Sequence, residues 1–256
     1  MKNKIVYRLK KLEKKHNIKI LMAVEAGSRA YGINDDSSDW DVRFIYVHKL
    51  QWYLDLQDNA NTIEFKDNSF DFSGWELGKS LKLLSKGNTQ LQEWLNSPIY
   101  YIRDPEFFPS FKELAASNFN KRSTIRYYLT LSEKVYNGHI KGRAYMDPNM
   151  YLKAIRPLLC GLYVQKKGIM PLIQIDASID LLKPYDAYDP VLEILKAKRG
   201  ETLGSFNAAN EYINDFIEET MYFLDMCLLD VKTPEIDMVT FNNFLYKQIM
   251  DFTNEV

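Results

Sequence analysis

The sequence predicts an α/β fold of α+β layout, with a small mixed sheet flanked by helices and a largely helical C-terminal region. Three observations predict it. Short runs between residues 18 and 74 alternate apolar with polar side chains, as half-buried strands do. From residue 77 onward apolar residues recur at helical spacing. The chain is 46% hydrophobic and 14% aromatic over 256 residues, enough for more than one core. The change of pattern places a domain boundary at residue 105, with an α/β domain over 1–105 and a helical domain over 106–256.

The elements follow in order. Ile5, Leu9, Leu12 and His16 lie on one helical stripe, so a helix spans roughly residues 3–16, with Lys4, Lys11 and Lys15 on its other face. "IKILMAVEAG" reads as a buried strand ending at Gly27. "WDVRFIYV" is a second strand, with Val42, Phe44 and Tyr46 on one side and Asp41 and Arg43 on the other. "TIEFKDNSFDFSG" is a hairpin turning near Asp67-Asn68, with Phe70 and Phe72 facing the core and Glu64 and Asp71 at alternate positions. "GWELGKSLKLLSKG" puts Leu77, Leu81 and Leu84 on one stripe and stops at Gly87. "TQLQEWLNSP" is a short helix, Asp104-Pro105 starts another, and Ser123 begins the next. Asp147-Pro148 opens a helix to about Lys167, ended by Gly168 and kinked at Pro157. "EYINDFIEETMYFLDMCLL" and "TFNNFLYKQIMDF" complete the helical domain.

Composition narrows the class. No run reaches the ~18 consecutive apolar residues of a membrane span, and "MKNKIVYRLKKLEKKHNIKI" lacks the apolar block of a signal peptide. Cys160 and Cys227 fit no metal spacing and read as buried thiols, so a cytoplasmic protein without membrane contact is expected. The net charge of −1 conceals segregation: +7 over residues 1–19, −6 over 20–120, +8 over 121–170 and −10 over 171–256. Two basic blocks suggest an anionic partner, although solvated helix faces give the same letters. "KRSTIRYY" (121–128) mixes bases with aromatics as a nucleic-acid face does, or as a helix with a solvated basic side does. His16, His48 and His139 are scattered and read as structural or surface residues.

One constellation carries chemistry. The strand ending in Gly27-Ser28 is followed by a turn and by a strand opening on Asp39-x-Asp41. Gly27 permits close approach of the backbone to a ligand. Free N–H groups of the turn and the Ser28 hydroxyl can cradle phosphate oxygens. Residues two apart on a strand share a face, so Asp39 and Asp41 can share divalent cations, and a third carboxylate from the hairpin would complete a two-metal site. Each part alone is common: Asp-x-Asp near turns is usually solvated or a cap, and Gly-Ser is commoner still. The conjunction in this order points to phosphoryl-transfer chemistry.

"GS" followed by an Asp-x-Asp strand resembles the nucleotidyltransferase superfamily that includes polymerase-beta-like enzymes. The longer strings "EAGSRAYG…SSDWDVRFIY…WYL" and "GWELGKSLKLLSKGNTQLQEWLNSPIYY" resemble, more narrowly, the predicted nucleotidyltransferase family often associated with RNA ligases. The likeness is dense over residues 20–101 and thinner beyond, where "YLKAIRPLLCGLYV" resembles a helix of that family. The resemblance implies a nucleotidyltransferase fold for the first domain, with the second forming the other side of the substrate cleft. It implies that Gly27 and Ser28 bind the triphosphate of an NTP. It implies that Asp39 and Asp41 hold Mg2+, with Mn2+ as an alternative, and that Asp71, ahead of Glu64, is the third carboxylate and catalytic partner. Glu25 and Arg29 match the family string: Arg29 would neutralise phosphate, or Glu25 would pair with a base. Arg43, on the Asp41 face, would orient the aspartates. Lys79 is retained and would reach a phosphate, or stay a solvated helix lysine. Arg156 matches too, facing the cleft or pairing with an acid. Departures are Glu76 for Asp, Gly78 for Arg, and Asn149 and Met150 where lysines are expected.

The implied reaction moves an NMP from an NTP to an acceptor hydroxyl, with an RNA end in RNA repair as the acceptor the association suggests. A protein or small-molecule acceptor, or a non-catalytic nucleotide- or RNA-binding module keeping the fold, are the alternatives. Nothing in the sequence sets the base preference or the oligomeric state.

Overall fold

The computed structural model describes residues 1–57, 59–202 and 208–255. In chain order the helices and strands are α1 (Lys2–His16), β1 (Ile18–Glu25), α2 (Gly27–Tyr31), β2 (Trp40–His48), α3 (Leu50–Tyr53), β3 (Thr62–Asp67) and β4 (Phe70–Glu76). They continue with α4 (Leu77–Ser85), α5 (Thr89–Leu95), β5 (Tyr100–Arg103), α6 (Phe107–Ser117), α7 (Lys121–Val135), α8 (Asn149–Lys167), α9 (Tyr188–Lys198), α10 (Glu211–Cys227) and α11 (Met238–Asn254). A single π-turn, Tyr136–Ile140, extends α7.

The five strands form one mixed sheet in the order β3-β4-β2-β1-β5. β2 runs parallel to β4 and the other pairs are antiparallel. One face carries Ile20, Ala23, Val42, Phe44, Tyr46 and Phe72 and packs on Ile5, Leu9 and Leu12 of α1, the stripe the sequence predicts. The other face carries Met22, Val24, Ile45 and Val47 and is covered by residues of α4, α5, α6 and α11. Along β2 that second face reads Asp41, Arg43, Ile45, Val47. It is apolar where helices cover it and charged at its open end. The pleat and the extent of helical cover therefore set where the acids emerge.

Residues cluster into two compact units, and the division is not a single cut at residue 105. The first unit holds 1–27, 39–118 and the chain from Pro234 onward; the second holds 28–38 and 119–233. Helix α11 therefore joins the sheet unit rather than a C-terminal helical domain, because Phe241, Phe244, Leu245 and Ile249 complete the apolar layer over β2 and α4. The second unit is built on α7, α8 and α10, whose core takes in Ile33 and Tyr31 from the 28–38 segment. That segment is held further by Arg199, which donates to the Gly32 carbonyl at 2.6 Å, and by an ion pair of Lys198 with Asp35.

Local details correct several expectations. β5 is an added strand. The next helix begins at Lys121 rather than Ser123, with the Asn120 side chain accepting the Ser123 N–H as its cap. Asp104 and Asp147 accept the N–H groups of Phe107 and Asn149, but the N-cap positions of α6 and α8 fall at Glu106 and Pro148. Gly168 ends α8 in the left-handed region. Cys160 is buried, Cys227 only partly, and both are free thiols. No helix among the described residues is long and apolar enough to cross a membrane.

Candidate active site

Asp41 and Asp71 are register partners on the adjacent parallel strands β2 and β4. Neighbouring strands lie ~4.8 Å apart and paired residues point the same way, so the two carboxylates stand side by side. The Arg43 guanidinium bridges them, 3.1 Å from Asp41 Oδ1 and 3.2 Å from Asp71 Oδ2, and it also donates to the Asp71 carbonyl at 3.0 Å. Arg43 thus orients the pair. Asp41 is the more enclosed carboxylate, and burial raises its pKa; Arg43 opposes the shift while Asp71 and Asp39 reinforce it.

Three further features fix Asp41. Its N–H donates to the Glu25 carboxylate at 3.0 Å, and its carbonyl accepts from Ala26 N–H at 2.8 Å. Glu25 is fully buried at the end of β1, where Tyr101 of β5 donates to it at 2.5 Å and Ser97 donates to its carbonyl. Glu25 is therefore a positioning residue. A buried acid closing an apolar strand was its signal in the sequence; Tyr101 and Ser97 gave none. Gly27 has φ +59°, and a Cβ there would stand 2.1 Å from Asp41 Oδ2. The turn and the acid are packed backbone against carboxylate, a closeness that only glycine allows.

The other expected residues are placed as follows. Asp39 lies just outside the ladder, since β2 begins at Trp40, which pairs with Phe70 where the hairpin turn ends. Strand register therefore does not hold Asp39 beside Asp41 as the sequence implied; its carboxylate is half-exposed, 3.6 Å from Lys66. Glu64 sits on β3 opposite Ser73 and accepts from its hydroxyl. Glu64 and Asp71 line one open hollow of about 460 Å3 with Arg43, Lys66 and the packed rings of Trp75 and Trp94. Lys79 faces elsewhere: its ammonium bonds the Thr62 hydroxyl and lies over Trp75, beside a hollow shared with Tyr53 and Glu76. The Glu76 carboxylate caps α4 by accepting the N–H groups of Gly78 and Lys79 and the Tyr53 hydroxyl. A Cβ at residue 78 would lie 3.0 Å from that carboxylate, so a larger residue there would crowd the cap.

In the second unit Ser28 and Arg29 belong to α2. Arg29 donates to the Ser38 carbonyl at 2.7 Å and lines a polar hollow of about 940 Å3 with Asn149, Asp176 and Lys198. Arg156 is buried, donates to the Ile173 carbonyl, and stacks on Tyr31 with its guanidinium 3.4 Å from the ring centre. In "KRSTIRYY", Lys121 bonds the Gln165 carbonyl, Arg122 the Leu228 and Val231 carbonyls, and Arg126 pairs with Asp225, so these cations tie helices together.

Carboxylates are the donors that Mg2+ takes, and Asp41 with Asp71 presents two on one face. Among the described residues no three His, Cys, Asp or Glu side chains converge into a complete ligand set, since Asp39 turns to Lys66. Asp41 and Asp71 are the carboxylates that would hold a divalent cation, each with one oxygen on Arg43, and Asp39 would have to leave Lys66 to join them.

The chain is 31% identical over 243 residues to the uncharacterized protein YcgL of Bacillus subtilis (strain 168), spanning 94% of this chain and 93% of that one. A nucleotidyltransferase-like protein from Exiguobacterium sibiricum 255-15 aligns in structure over 96% of this chain and 80% of its own, at 12% identity and a TM-score of 0.29, too low to argue from. Residues 1–246 match the RlaP family, described as the RNA repair pathway DNA polymerase beta family. The mixed sheet, the paired aspartates on β2 and β4 and that whole-chain match agree: the chain belongs to the RNA repair pathway DNA polymerase beta family and is of the nucleotidyltransferase kind.

Proposed function

We propose that this protein transfers an NMP from an NTP to a hydroxyl at an RNA end, with release of pyrophosphate. One observation carries the reading: Asp41 and Asp71 are opposite each other on parallel strands, at the uncovered end of the sheet, with Arg43 holding both. Asp41 and Asp71, joined by Asp39, would hold Mg2+ or Mn2+. The metal supplies charge stabilisation for the triphosphate and the leaving pyrophosphate. Arg43 keeps the two carboxylates aimed alike, and Glu25 fixes the backbone from which Asp41 projects. Asp71 lines the open hollow, which supports it as the carboxylate that would take the proton of the acceptor hydroxyl. Gly27, packed on Asp41, keeps bare backbone beside the carboxylates, where the triphosphate would lie. RNA as acceptor is supported by the family description.

The test is incubation with each labelled NTP, Mg2+ and pools of RNA or of protein, beside the Asp39→Ala plus Asp41→Ala variant. Label entering RNA with the wild type and absent from the variant is the expected result. Label that persists in the variant would show that the site is wrong, and label entering only protein would move the acceptor.

A further inference from the structure

Another hollow, of about 820 Å3, lies on the sheet unit, between α1 and the edge strand β3. Lys11 and Lys15 border it, both exposed, from the basic face of α1. His16 and the half-buried Trp52 stand in it too. The Trp52 ring is pinned flat against His48, with centroids 4.1 Å apart and planes 3° off parallel. Trp52 also lines the neighbouring hollow, whose wall carries Lys82 of α4 and Lys86 just beyond its end. At its other side the first hollow shares Glu64 and Phe65 of β3 with the hollow lined by Asp71.

These are the parts of a single-strand track: cations at intervals, a fixed aromatic plane among them, and a route over one strand to the paired aspartates. We propose that the groove between α1 and β3 binds the single-stranded RNA acceptor, with Lys11 and Lys15 on its phosphates and Trp52 stacking a base. The inference rests on the nucleotidyltransferase reading for its direction, because it names where the acceptor lies. Charge complementarity selects the occupant. Among the groove's lining residues Arg8, Lys11 and Lys15 outnumber the acids Glu64 and Asp67, and Asp67 is paired with Arg8 at 2.6 Å. Burial and Lys15 lower the His16 pKa, so its ring is neutral at pH 7 and offers a polar edge rather than a charge. Stacking is indifferent to base identity, so the track would be tolerant of sequence.

The experiment is anisotropy of a labelled single-stranded RNA with the full chain over a range of salt, with anionic vesicles as a second arm. Lys11→Ala plus Lys15→Ala should weaken RNA binding at low salt by about tenfold and flatten the log–log salt slope by about 1.4, near 0.7 per lost charge. Both lysines are exposed, so an unchanged melting temperature is expected and confirms folding. Trp52→Phe should keep most affinity while removing the tryptophan quench on binding, a readout that a purely packing role would not give. Unchanged RNA affinity in the double-lysine variant overturns the proposal, as does wild type that binds vesicles but not RNA. Failure here is distinguishable from failure of the catalytic reading. Transfer to RNA that persists in the lysine variants at unchanged KM removes the groove alone; groove-dependent binding without transfer removes the catalytic reading alone.

Discussion

Gly27→Ala is the sharpest perturbation the structure offers. The residue sits at φ +59°, where an L side chain costs about 1–2 kcal/mol. Its new methyl would fall 2.1 Å from Asp41 Oδ2 and 3.0 Å from the carboxyl carbon, so the carboxylate must swing away. Leaving its rotamer costs about 0.5–1.5 kcal/mol. Giving up the bond to Arg43 removes a charge-assisted contact of about 1.5–3 kcal/mol. The total is about 3–6.5 kcal/mol when the terms act together. Gly168→Ala is the reference: its φ is +71° and nothing lies within 4 Å of a Cβ there, so only the about 1–2 kcal/mol backbone cost remains. Urea unfolding read by tryptophan fluorescence reports the unit containing Gly27, since Trp40, Trp52, Trp75 and Trp94 all lie in it; far-ultraviolet circular dichroism reads the Gly168 control. A Gly27→Ala cost no larger than that of Gly168→Ala, with nucleotidyl transfer intact, would refute the packing of turn on acid as the basis of the site.

Three further outcomes follow from the same geometry. Arg43→Gln should destabilise the metal-free protein by about 1.5–3 kcal/mol at pH 7, through the loss of charge-assisted bonds to both aspartates. Denaturation in acid should show the gap shrinking as Asp41, whose pKa burial raises, takes up its proton. Burial raises the Asp41 pKa, so the folded state binds more protons than the unfolded one, and the stability it contributes is present in acid and lost as pH rises through the folded pKa. Asp41→Asn should therefore equal or exceed the wild type in stability at neutral pH without metal while abolishing transfer, and fall behind only on acidification. Tyr101→Phe removes one bond to Glu25 and should cost about 0.5–1.5 kcal/mol with a loss in kcat rather than in NTP affinity, checked by steady-state kinetics.

The strands and their faces were legible because alternation is local. Val42, Phe44 and Tyr46 needed only the pleat to be set against Asp41 and Arg43. Asp71 could be preferred to Glu64 from the hairpin, but only the parallel pairing of β2 with β4 puts it opposite Asp41, and no local pattern encodes which strands become neighbours. Tyr100–Arg103 is too short to show a period and reads as a strand only once β1 is there to pair with it. Helix α11 is amphipathic like its neighbours in sequence; that its apolar face completes the layer over β2 is a long-range fact. Asp39 was misjudged for a related reason. Its spacing from Asp41 suits a strand, but the ladder begins one residue later because the partner hairpin ends there.

Asp41 is where these long-range facts meet. Gly27 packs on its carboxylate, Glu25 holds its N–H, Arg43 holds an oxygen, and Asp71 stands opposite. Glu25 is in turn held by Tyr101, on the strand that pairs with the other edge of β1. The segments that hold this one aspartate run from β1 to β5, within the residues 1–246 that match the family. Core packing alone would not retain an acid whose charged form its surroundings disfavour; an apolar or neutral residue on the same strand face would serve the fold better. Buried backbone, a buried carboxylate and a guanidinium are all committed to aiming Asp41 toward the open end of the sheet. An acid that burial disfavours and that so many partners orient is a functional-site candidate, and Asp41→Asn separates that role from folding.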